Sequence, residues 1–176
     1  MDVNTGSPTL VGEGFELRAL VRPDADALLA LLLQPGVARW WGAYDAGKVE
    51  RDFFGQECAY TYLIIVDGEI AGVLQFHEVT DPDYKSAGID ITLGEVYQDR
   101  GLGTRALKRL IRYLIDERGH HRMTIDPATD NRRAIHTYEK VGFRTVGVMR
   151  DYERDITGAW HDGLLMDLLA REFGAE

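Results

Sequence analysis

A glycine-containing turn past the middle of the chain most constrains its fold: Gln98-Asp99-Arg100-Gly101-Leu102-Gly103-Thr104. It separates an apolar, strand-like run over residues 89–96 from an amphipathic helical pattern over residues 106–115. A strand that turns into a helix exposes backbone N–H groups at the helix N-terminus, where the helix dipole favours an anion. Because glycine lacks a Cβ, a phosphate can approach the backbone closely at Gly101 and Gly103. The segment therefore predicts a pyrophosphate site in an α/β chain.

The charge of the whole chain contrasts with the charge at this turn. Asp and Glu number 29 and Lys and Arg number 20, so the net charge is −9, whereas Arg100, Arg105 and Lys108 place cations around the turn. An acidic chain is a poor partner for nucleic acid, which needs a basic face. The balance suggests an anionic cofactor and a cationic second substrate, although a role in solubility alone is an equally good explanation.

Length and composition indicate one folded unit. The 176 residues suit a single domain with its own core, and we predict a loose tail over residues 1–12 and one domain over residues 13–176. We expect no membrane partner, because no apolar run is long enough to span a membrane, and the N-terminus lacks a signal-peptide pattern. Cys58 is the single cysteine, which we expect to be a packed strand residue in a cytoplasmic protein.

Apolar periodicity predicts one mixed α/β domain. Strands are predicted over residues 15–20, 59–66, 70–77, 89–96, 122–125, 143–149 and 160–168. Helices are predicted over residues 23–33, 47–54, 103–118 and 131–140. We expect Pro35-Gly36 to end the first helix before an aromatic segment, residues 37–41, and Asp67-Gly68 to form a hairpin turn.

Two common nucleotide-binding motifs fit the turn poorly. A dinucleotide-binding Gly-x-Gly-x-x-Gly follows the first strand of its fold, with an acidic residue about twenty positions later. Here the turn follows an antiparallel meander instead. The Gly-Lys-Ser/Thr ending of a P-loop is also absent. The position of the turn therefore argues against both classes.

A second segment of the sequence narrows the identity of the anion-binding turn: Asn131-Arg132-Arg133-Ala134-Ile135-His136-Thr137-Tyr138-Glu139-Lys140-Val141-Gly142-Phe143. It resembles the Asn-x-x-Ala-x-x-x-Tyr-x-x-x-Gly-Phe block of the GNAT superfamily of N-acetyltransferases. Gln98, Gly101 and Gly103 match that superfamily's Gln/Arg-x-x-Gly-x-Gly/Ala loop. The resemblance covers residues 14–170 and implies a mixed central sheet, helices on both faces and a splayed strand pair that admits acetyl-CoA.

The resemblance also implies how acetyl-CoA is held. Backbone groups of Leu93, Glu95 and Val96 would bind the pantetheine arm, next to a bulge or flexible strand end at Gly94. Asn131 would bond the CoA arm, cap its own helix, or do both. The pyrophosphate would be held by Gln98 and by the N–H groups of the turn, Arg100, Gly101, Leu102, Gly103 and Thr104.

The implied reaction is acyl transfer to an amine, and it needs few side chains. The amine must lose a proton before it attacks the thioester, and the departing thiolate must gain one. By the resemblance, Tyr138 is the acid that protonates the thiolate; a tyrosine packed in the core is the alternative. No metal is expected, since His77 and His161 lack the spacing of metal ligands.

Four short segments are similar to aminoglycoside 6′-N-acetyltransferases: Trp40-Trp41-Gly42, Gly88-Ile89-Asp90, Thr124-Ile125-Asp126-Pro127 and Tyr138-Glu139-Lys140. The resemblance implies that Asp90 is a base or orients the amine, that Asp126 binds an ammonium group, and that Trp40 or Trp41 lines a sugar pocket. The alternatives are core tryptophans, an Asp126 that only forms a turn, and an Asp90 paired with an arginine. Glu78, Asp81 and Asp83 would form an acidic rim, and His120 and His121 would lie on the surface.

Two other functions remain open. The segment Trp160-His161-Asp162-Gly163-Leu164-Leu165-Met166 resembles ribosomal-protein-type members of the superfamily. An N-terminal, small-metabolite or polyamine N-acetyltransferase is therefore an alternative to an aminoglycoside resistance enzyme. A sensor that binds acyl-CoA without turnover is the non-enzymatic alternative.

Overall fold

The computed structural model describes residues 6–55 and 59–174. Within these ranges it contains eight strands: β1 Leu10–Gly12, β2 Phe15–Ala19, β3 Tyr60–Val66, β4 Glu69–Val79, β5 Ser86–Leu93, β6 Arg122–Ile125, β7 Arg144–Arg154 and β8 Trp160–Leu169. The α-helices of the same ranges are α1 Ala25–Leu32, α2 Pro35–Trp41, α3 Ala46–Phe54, α4 Leu102–Asp116 and α5 Arg132–Val141. The predicted Cys58 environment lies outside the described residues.

All eight strands join one mixed sheet in the order β1-β2-β3-β4-β5-β6-β8-β7. Neighbours are antiparallel except β5 and β6, which are parallel. The β5–β6 connection contains α4, as parallel strands require a crossover connection. The predicted mixed α/β domain is therefore confirmed.

Helices cover both faces of the sheet because the central strands are apolar on both sides. In β3, Leu63 and Ile65 pack with α1, α2 and α3 on one face. Tyr62 and Ile64 point the other way and pack in the cluster that contains α4 and α5. The two-residue period of a strand thus divides its side chains between two cores.

The parallel pair β5–β6 separates soon after it forms. The two strands are paired at Ala87–Met123 and Gly88–Thr124. Residues 89–93 of β5 continue along β4, on their other side. The space between β5 and the chain that follows β6 is therefore open, which confirms the splayed pair that the family resemblance implies.

Three predictions about the elements are wrong. Leu10–Gly12 is not part of a loose tail, because it pairs with β2 as strand β1 and buries Leu10. The first helix ends before Pro35-Gly36 as predicted, but the aromatic segment 37–41, which was expected outside a helix, belongs to α2. Pro35 begins α2, since proline is well suited to the first turn of a helix. The strand predicted over residues 89–96 ends at Leu93, and Gly94 begins a short 3-10 turn over Glu95–Tyr97, so it marks a strand end and not a bulge.

The predicted hairpin turn agrees with the structure. Asp67 and Gly68 have the positive φ values of a hairpin turn between β3 and β4. Among the described residues, no helix is long and apolar enough to cross a membrane.

Candidate active site

A pocket of about 360 Å³ opens where β5 and β6 separate. Its walls come from the end of α2, the second half of β5, the turn before α4, the segment after β6, the inner side of α5 and one residue of β7. Twelve of the residues predicted for the site line it: Trp40, Trp41, Asp90, Leu93, Gln98, Gly101, Leu102, Gly103, Thr104, Asp126, Asn131 and Tyr138. Residues from distant parts of the sequence therefore meet in one concave site.

The N-terminus of α4 forms one wall of the pocket. Gly101 occupies the N-cap position with a φ of 72°, which glycine adopts with little strain. The first N–H groups of a helix have no partner within the helix, so they are available to an anion. Gln98 donates a hydrogen bond of 2.8 Å from Nε2 to the Leu93 carbonyl, and its Oε1 accepts one from Arg133. These bonds join the turn to the end of β5 and to α5.

Helix α5 forms the opposite wall and carries Tyr138. Asn131 caps this helix, because its Oδ1 accepts a bond of 3.2 Å from the Ala134 N–H. Tyr138 is buried and packs edge-on against Phe143, yet it also lines the pocket. Burial raises the pKa of Tyr138 above its usual value, and the negative charges of Asp90 and Asp126 raise it further. The phenol therefore keeps its proton at neutral pH.

Four acidic residues line the pocket. Asp99 belongs to the turn before α4, and the other three are Asp90, Asp126 and Glu153. The surrounding walls raise the pKa of Asp90 to about 6, although solvent reaches its carboxyl through the opening. The charges of Asp126 and Glu153 also raise this pKa, while His77 opposes the shift. Burial raises the pKa of Glu153 as well, together with repulsion from Asp126. The negative charge of Asp126 thus raises the pKa of both Asp90 and Glu153.

No arginine or lysine among residues 6–55 and 59–174 forms an ion pair with any of these three groups. The predicted alternative of an Asp90–arginine pair is therefore wrong for the described residues. Asp126 accepts a hydrogen bond of 2.5 Å from the Tyr152 hydroxyl. This bond raises the pKa of Tyr152, because a deprotonated phenol could not donate it. Tyr152 thus satisfies one oxygen of Asp126 without neutralising its charge.

Helix α2 presents two half-buried tryptophans, Trp40 and Trp41, to the pocket. Its position depends on Glu95. The Gly36 N–H donates a bond of 2.7 Å to Glu95 Oε1, and the Glu95 N–H donates one of 2.8 Å to Gln34 Oε1. This reciprocal pair ties the start of α2 to the turn after β5.

Three of the predicted cofactor residues, Glu95, Val96 and Arg100, are not among the residues that line the pocket. The carboxyl and the N–H of Glu95 are both used by α2 and the residue before it. Val96 and Arg100 are exposed. Sequence reasoning also missed several lining residues, of which Asp99, Glu153, Arg133, His136 and Lys140 are ionisable. The last three belong to the quoted α5 block, whereas Glu153 had no local signal.

Two predictions about acids and histidines outside the pocket are wrong. His120 is buried, not on the surface, and its Nε2 lies 2.6 Å from Glu78 Oε1. Glu78 also accepts bonds from Arg118, so it belongs to an internal ion-pair cluster and not to an acidic rim. In the part of the chain that the structure describes, no group of three His, Cys, Asp or Glu residues is arranged to hold a metal ion.

The sequence profile of the acetyltransferase (GNAT) family matches residues 26–143, from α1 to the end of the α5 block. The chain belongs to this family. Its sequence relatives are N-acetyltransferases, and the chain is an acetyl-CoA-dependent N-acetyltransferase.

Two curated relatives differ in the acceptor that their names give. The aminoglycoside N(6′)-acetyltransferase type 1 of Klebsiella pneumoniae is 29% identical over 157 residues, which cover 78% of this chain and 77% of that protein. The spermidine N(1)-acetyltransferase of Escherichia coli is 26% identical over 167 residues, which cover 92% of this chain and 89% of that protein.

Solved structures of GNAT proteins share the fold. The spermidine N-acetyltransferase from Vibrio cholerae, in complex with CoA and spermine, has a TM-score of 0.77 at 20% identity, covering 90% of this chain and 97% of that chain. The Mycobacterium smegmatis RimJ, in complex with CoA-disulfide, has a TM-score of 0.78 at 24% identity and covers 97% of this chain and 89% of that chain.

Proposed function

We propose that this GNAT enzyme acetylates the 6′-amino group of aminoglycosides. The observation that carries the proposal is the group of three pocket carboxyls, Asp90, Asp126 and Glu153, to which the described chain supplies no ion-pair partner. Aminoglycosides are polycations, and their ammonium groups would relieve the mutual repulsion of these acids. The aminoglycoside-modifying relative supports this class of acceptor.

The tryptophans suit the same class of acceptor. Trp40 and Trp41 offer broad apolar faces next to the acids, and such faces attract both the apolar side of a sugar ring and a nearby cation. A pocket that combines acids with aromatic walls would bind a rigid, charged oligosaccharide better than a neutral peptide.

Asp90 has the properties of the general base. An acceptor ammonium must lose a proton before its nitrogen can attack, and a carboxyl with a pKa near 6 takes that proton more readily than an ordinary aspartate. Tyr138 serves as the acid. Its raised pKa keeps it protonated, so it can donate its proton to the thiolate sulfur as the thioester bond breaks.

Acetyl-CoA fits the remaining wall of the pocket and supplies the acetyl thioester that the amine attacks. We assign the pyrophosphate to the N–H groups of Gly101, Leu102, Gly103 and Thr104, and the pantetheine arm to Leu93 and Asn131. The unpaired N–H groups at the start of α4 provide the chemistry that a pyrophosphate requires.

Spermidine is the second candidate acceptor. It is also a polycation, and the spermidine N(1)-acetyltransferase relative covers more of the chain than the aminoglycoside relative does. The acidic pocket alone does not separate these two acceptors, since both bring several ammonium groups.

Release of CoA thiol, measured with acetyl-CoA and a panel of acceptors, tests the proposal. We expect turnover with kanamycin and none with an aminoglycoside that carries a hydroxyl in place of the 6′-amine. Spermidine and a peptide that has a free N-terminal amine but no charged side chains complete the panel. In the variant Glu153→Gln we expect KM for kanamycin to rise about tenfold, because one ion contact is lost. The exposed hairpin variant Glu69→Gln is the matched control and should leave KM unchanged.

Two outcomes would overturn the aminoglycoside assignment. Turnover with spermidine or the peptide but not with kanamycin would assign the enzyme to that other acceptor. Equal turnover of kanamycin and the 6′-hydroxyl compound would move acetylation to another amine.

A further inference from the structure

A second concave surface lies on the side of α4 and α5 that faces away from the sheet. This groove has a volume of about 700 Å³ and is larger than the active-site pocket. Four parts of the chain form it: the turn between β1 and β2, the outer face of α4, the end of α5 with the start of β7, and residues 172–174. Its volume is within the range of sites that bind small molecules.

The groove is basic although the protein is acidic. Six of the 20 Lys and Arg residues line it, whereas only three of the 29 acidic residues do. The six cations are Arg105, Lys108, Arg109, Arg112, Lys140 and Arg144, and the three acids are Glu13, Glu139 and Glu172. A local excess of positive charge in a chain of net charge −9 attracts anions to this surface.

Four of the cations form a row along α4. Residues at i, i+3, i+4 and i+7 share one helix face, and here they are Arg105, Lys108, Arg109 and Arg112. With a rise of 1.5 Å per residue, the row extends over about 10 Å. That length matches a ligand with several phosphates in succession.

Most of these cations have no carboxylate partner. Within the described ranges, only Arg144 forms an ion pair, at 3.2 Å from Glu172. Arg109 donates a bond of 3.0 Å to the Val11 carbonyl, and Arg112 lies over the Phe173 ring. Among the described residues, neither the Lys108 nor the Lys140 side chain forms a hydrogen bond or lies over an aromatic ring. Five positive charges therefore remain without a compensating acid.

The groove is separate from the site assigned to acetyl-CoA. Lys140 is the one residue that lines both cavities, and no residue of the turn 98–104 lines the groove. Arg112 lies more than two helical turns beyond that turn. Arg105 contacts the turn, because it donates a bond of 3.5 Å to the Arg100 carbonyl. A ligand in the groove would therefore contact the same helix as the cofactor but farther along it, at Lys108 to Arg112.

We propose that this groove binds a small ligand with several phosphate groups. Arginine matches phosphate oxygens with two parallel hydrogen bonds, and lysine adds a flexible point charge. Arg112 lies over the Phe173 ring, and its planar guanidinium can stack with a base if the phosphates belong to a nucleotide. Free polyphosphate and a nucleoside triphosphate share the recognised chemistry.

Isothermal titration of the full-length enzyme tests the proposal with tripolyphosphate and with ATP, at low and at high salt. We expect saturable binding that weakens as salt increases. In Lys108→Glu/Arg112→Glu the affinity for tripolyphosphate should fall at least tenfold, since two ion contacts become repulsive.

The control is Arg51→Glu, which reverses an exposed cation on α3, on the other face of the sheet. It should change the affinity less than twofold. Binding of ATP that exceeds that of tripolyphosphate indicates a nucleotide ligand, and equal binding indicates phosphate recognition alone.

The same titrations are repeated with saturating CoA. Persistent tripolyphosphate binding supports a separate site, whereas complete displacement by CoA would show that the groove is an extension of the cofactor site and overturn the proposal. Absence of binding in wild-type enzyme that still binds CoA would also overturn it. CoA binding by each variant shows that the variant is folded.

Discussion

Two carboxyl groups on neighbouring strands have opposite environments. Glu78 on β4 is buried with its own partners: His120 Nε2 lies 2.6 Å from its Oε1, and Arg118 donates from Nε at 3.0 Å. Burial alone would raise the pKa of Glu78, but these hydrogen bonds outweigh it and lower the pKa. Asp90 on β5 has acids for neighbours, and its pKa rises to about 6.

The difference separates a structural acid from a functional one. The fold neutralises Glu78 internally, so this group stabilises the protein and has no spare capacity for a ligand. No arginine or lysine among the described residues pairs with Asp90, Asp126 or Glu153, so a cation from solution can relieve their repulsion. Clustered groups with raised pKa values in a cleft are typical of functional sites.

The largest expected effect is on catalysis. We predict that Asp90→Asn lowers kcat/KM for the acceptor at least about 100-fold, because the base is removed while the shape is kept. In wild-type enzyme, kcat/KM should fall as pH decreases through about 6, where Asp90 becomes protonated. The variant should lose this pH dependence. Steady-state rates between pH 5 and pH 8 provide the measurement.

Asp83→Asn is the matched control for that prediction, since Asp83 lies exposed in the loop between β4 and β5. It should keep both the rate and the pH profile of the wild type. If Asp90→Asn retained the decrease near pH 6, another group would be the base.

The next effect in size is on stability. Glu78→Gln should reduce the free energy of unfolding by about 2–3 kcal/mol, because His120 and Arg118 lose a buried partner. The value is at the low end for buried pairs since the Arg118 side chain is 32% exposed. Because folding lowers the pKa of Glu78, its stabilisation is complete above the unfolded pKa and is lost as pH falls through the folded pKa.

Urea unfolding at pH 7 and at pH 3 measures this effect, and the difference between variant and wild type should shrink at pH 3. The rate of acetyl transfer at pH 7 should remain unchanged, because Glu78 does not line the pocket. A large loss of activity in folded Glu78→Gln would contradict the division between structural and functional acids.

Local signals explain which parts could be predicted from the sequence. The turn before α4 and the α5 block each depend on residues within about thirteen positions, so glycine placement and helix caps are visible in the sequence. The pocket residues in these blocks, including Gly101 and Tyr138, were therefore predictable. The family resemblance implies a cofactor role for the Glu95 backbone. The bond of the Glu95 carboxyl to Gly36 crosses 59 positions and leaves no local pattern, so it could not be predicted.

Long-range pairing explains the residues that sequence reasoning missed. Glu153 reaches the pocket because β7 and β8 return antiparallel beside β6, with an irregular register between Met149 and Glu153. No periodicity within β7 reports that placement. His120 follows Gly119, which suggested an exposed helix end, but its partner Glu78 lies 42 positions earlier. Polar residues at the ends of elements are thus the hardest to assign from sequence.

The smallest expected effect has the opposite sign to that of Glu78→Gln. Folding raises the pKa of Asp90 from 3.8 to about 6, so the ionised group destabilises the folded state above pH 6, and this cost disappears as pH falls towards 4. Asp90→Asn should therefore raise Tm at pH 8, by no more than about 3 °C because solvent enters the pocket and weakens the repulsion. At pH 4 the two proteins should melt together. Thermal unfolding at both pH values, without acceptor, measures the shift.

Addition of a polycationic acceptor should then stabilise wild type more than the variant, because only the wild type keeps all three carboxylates. A variant that melts below wild type at pH 8 would mean that Asp90 has an internal cation partner and belongs with Glu78.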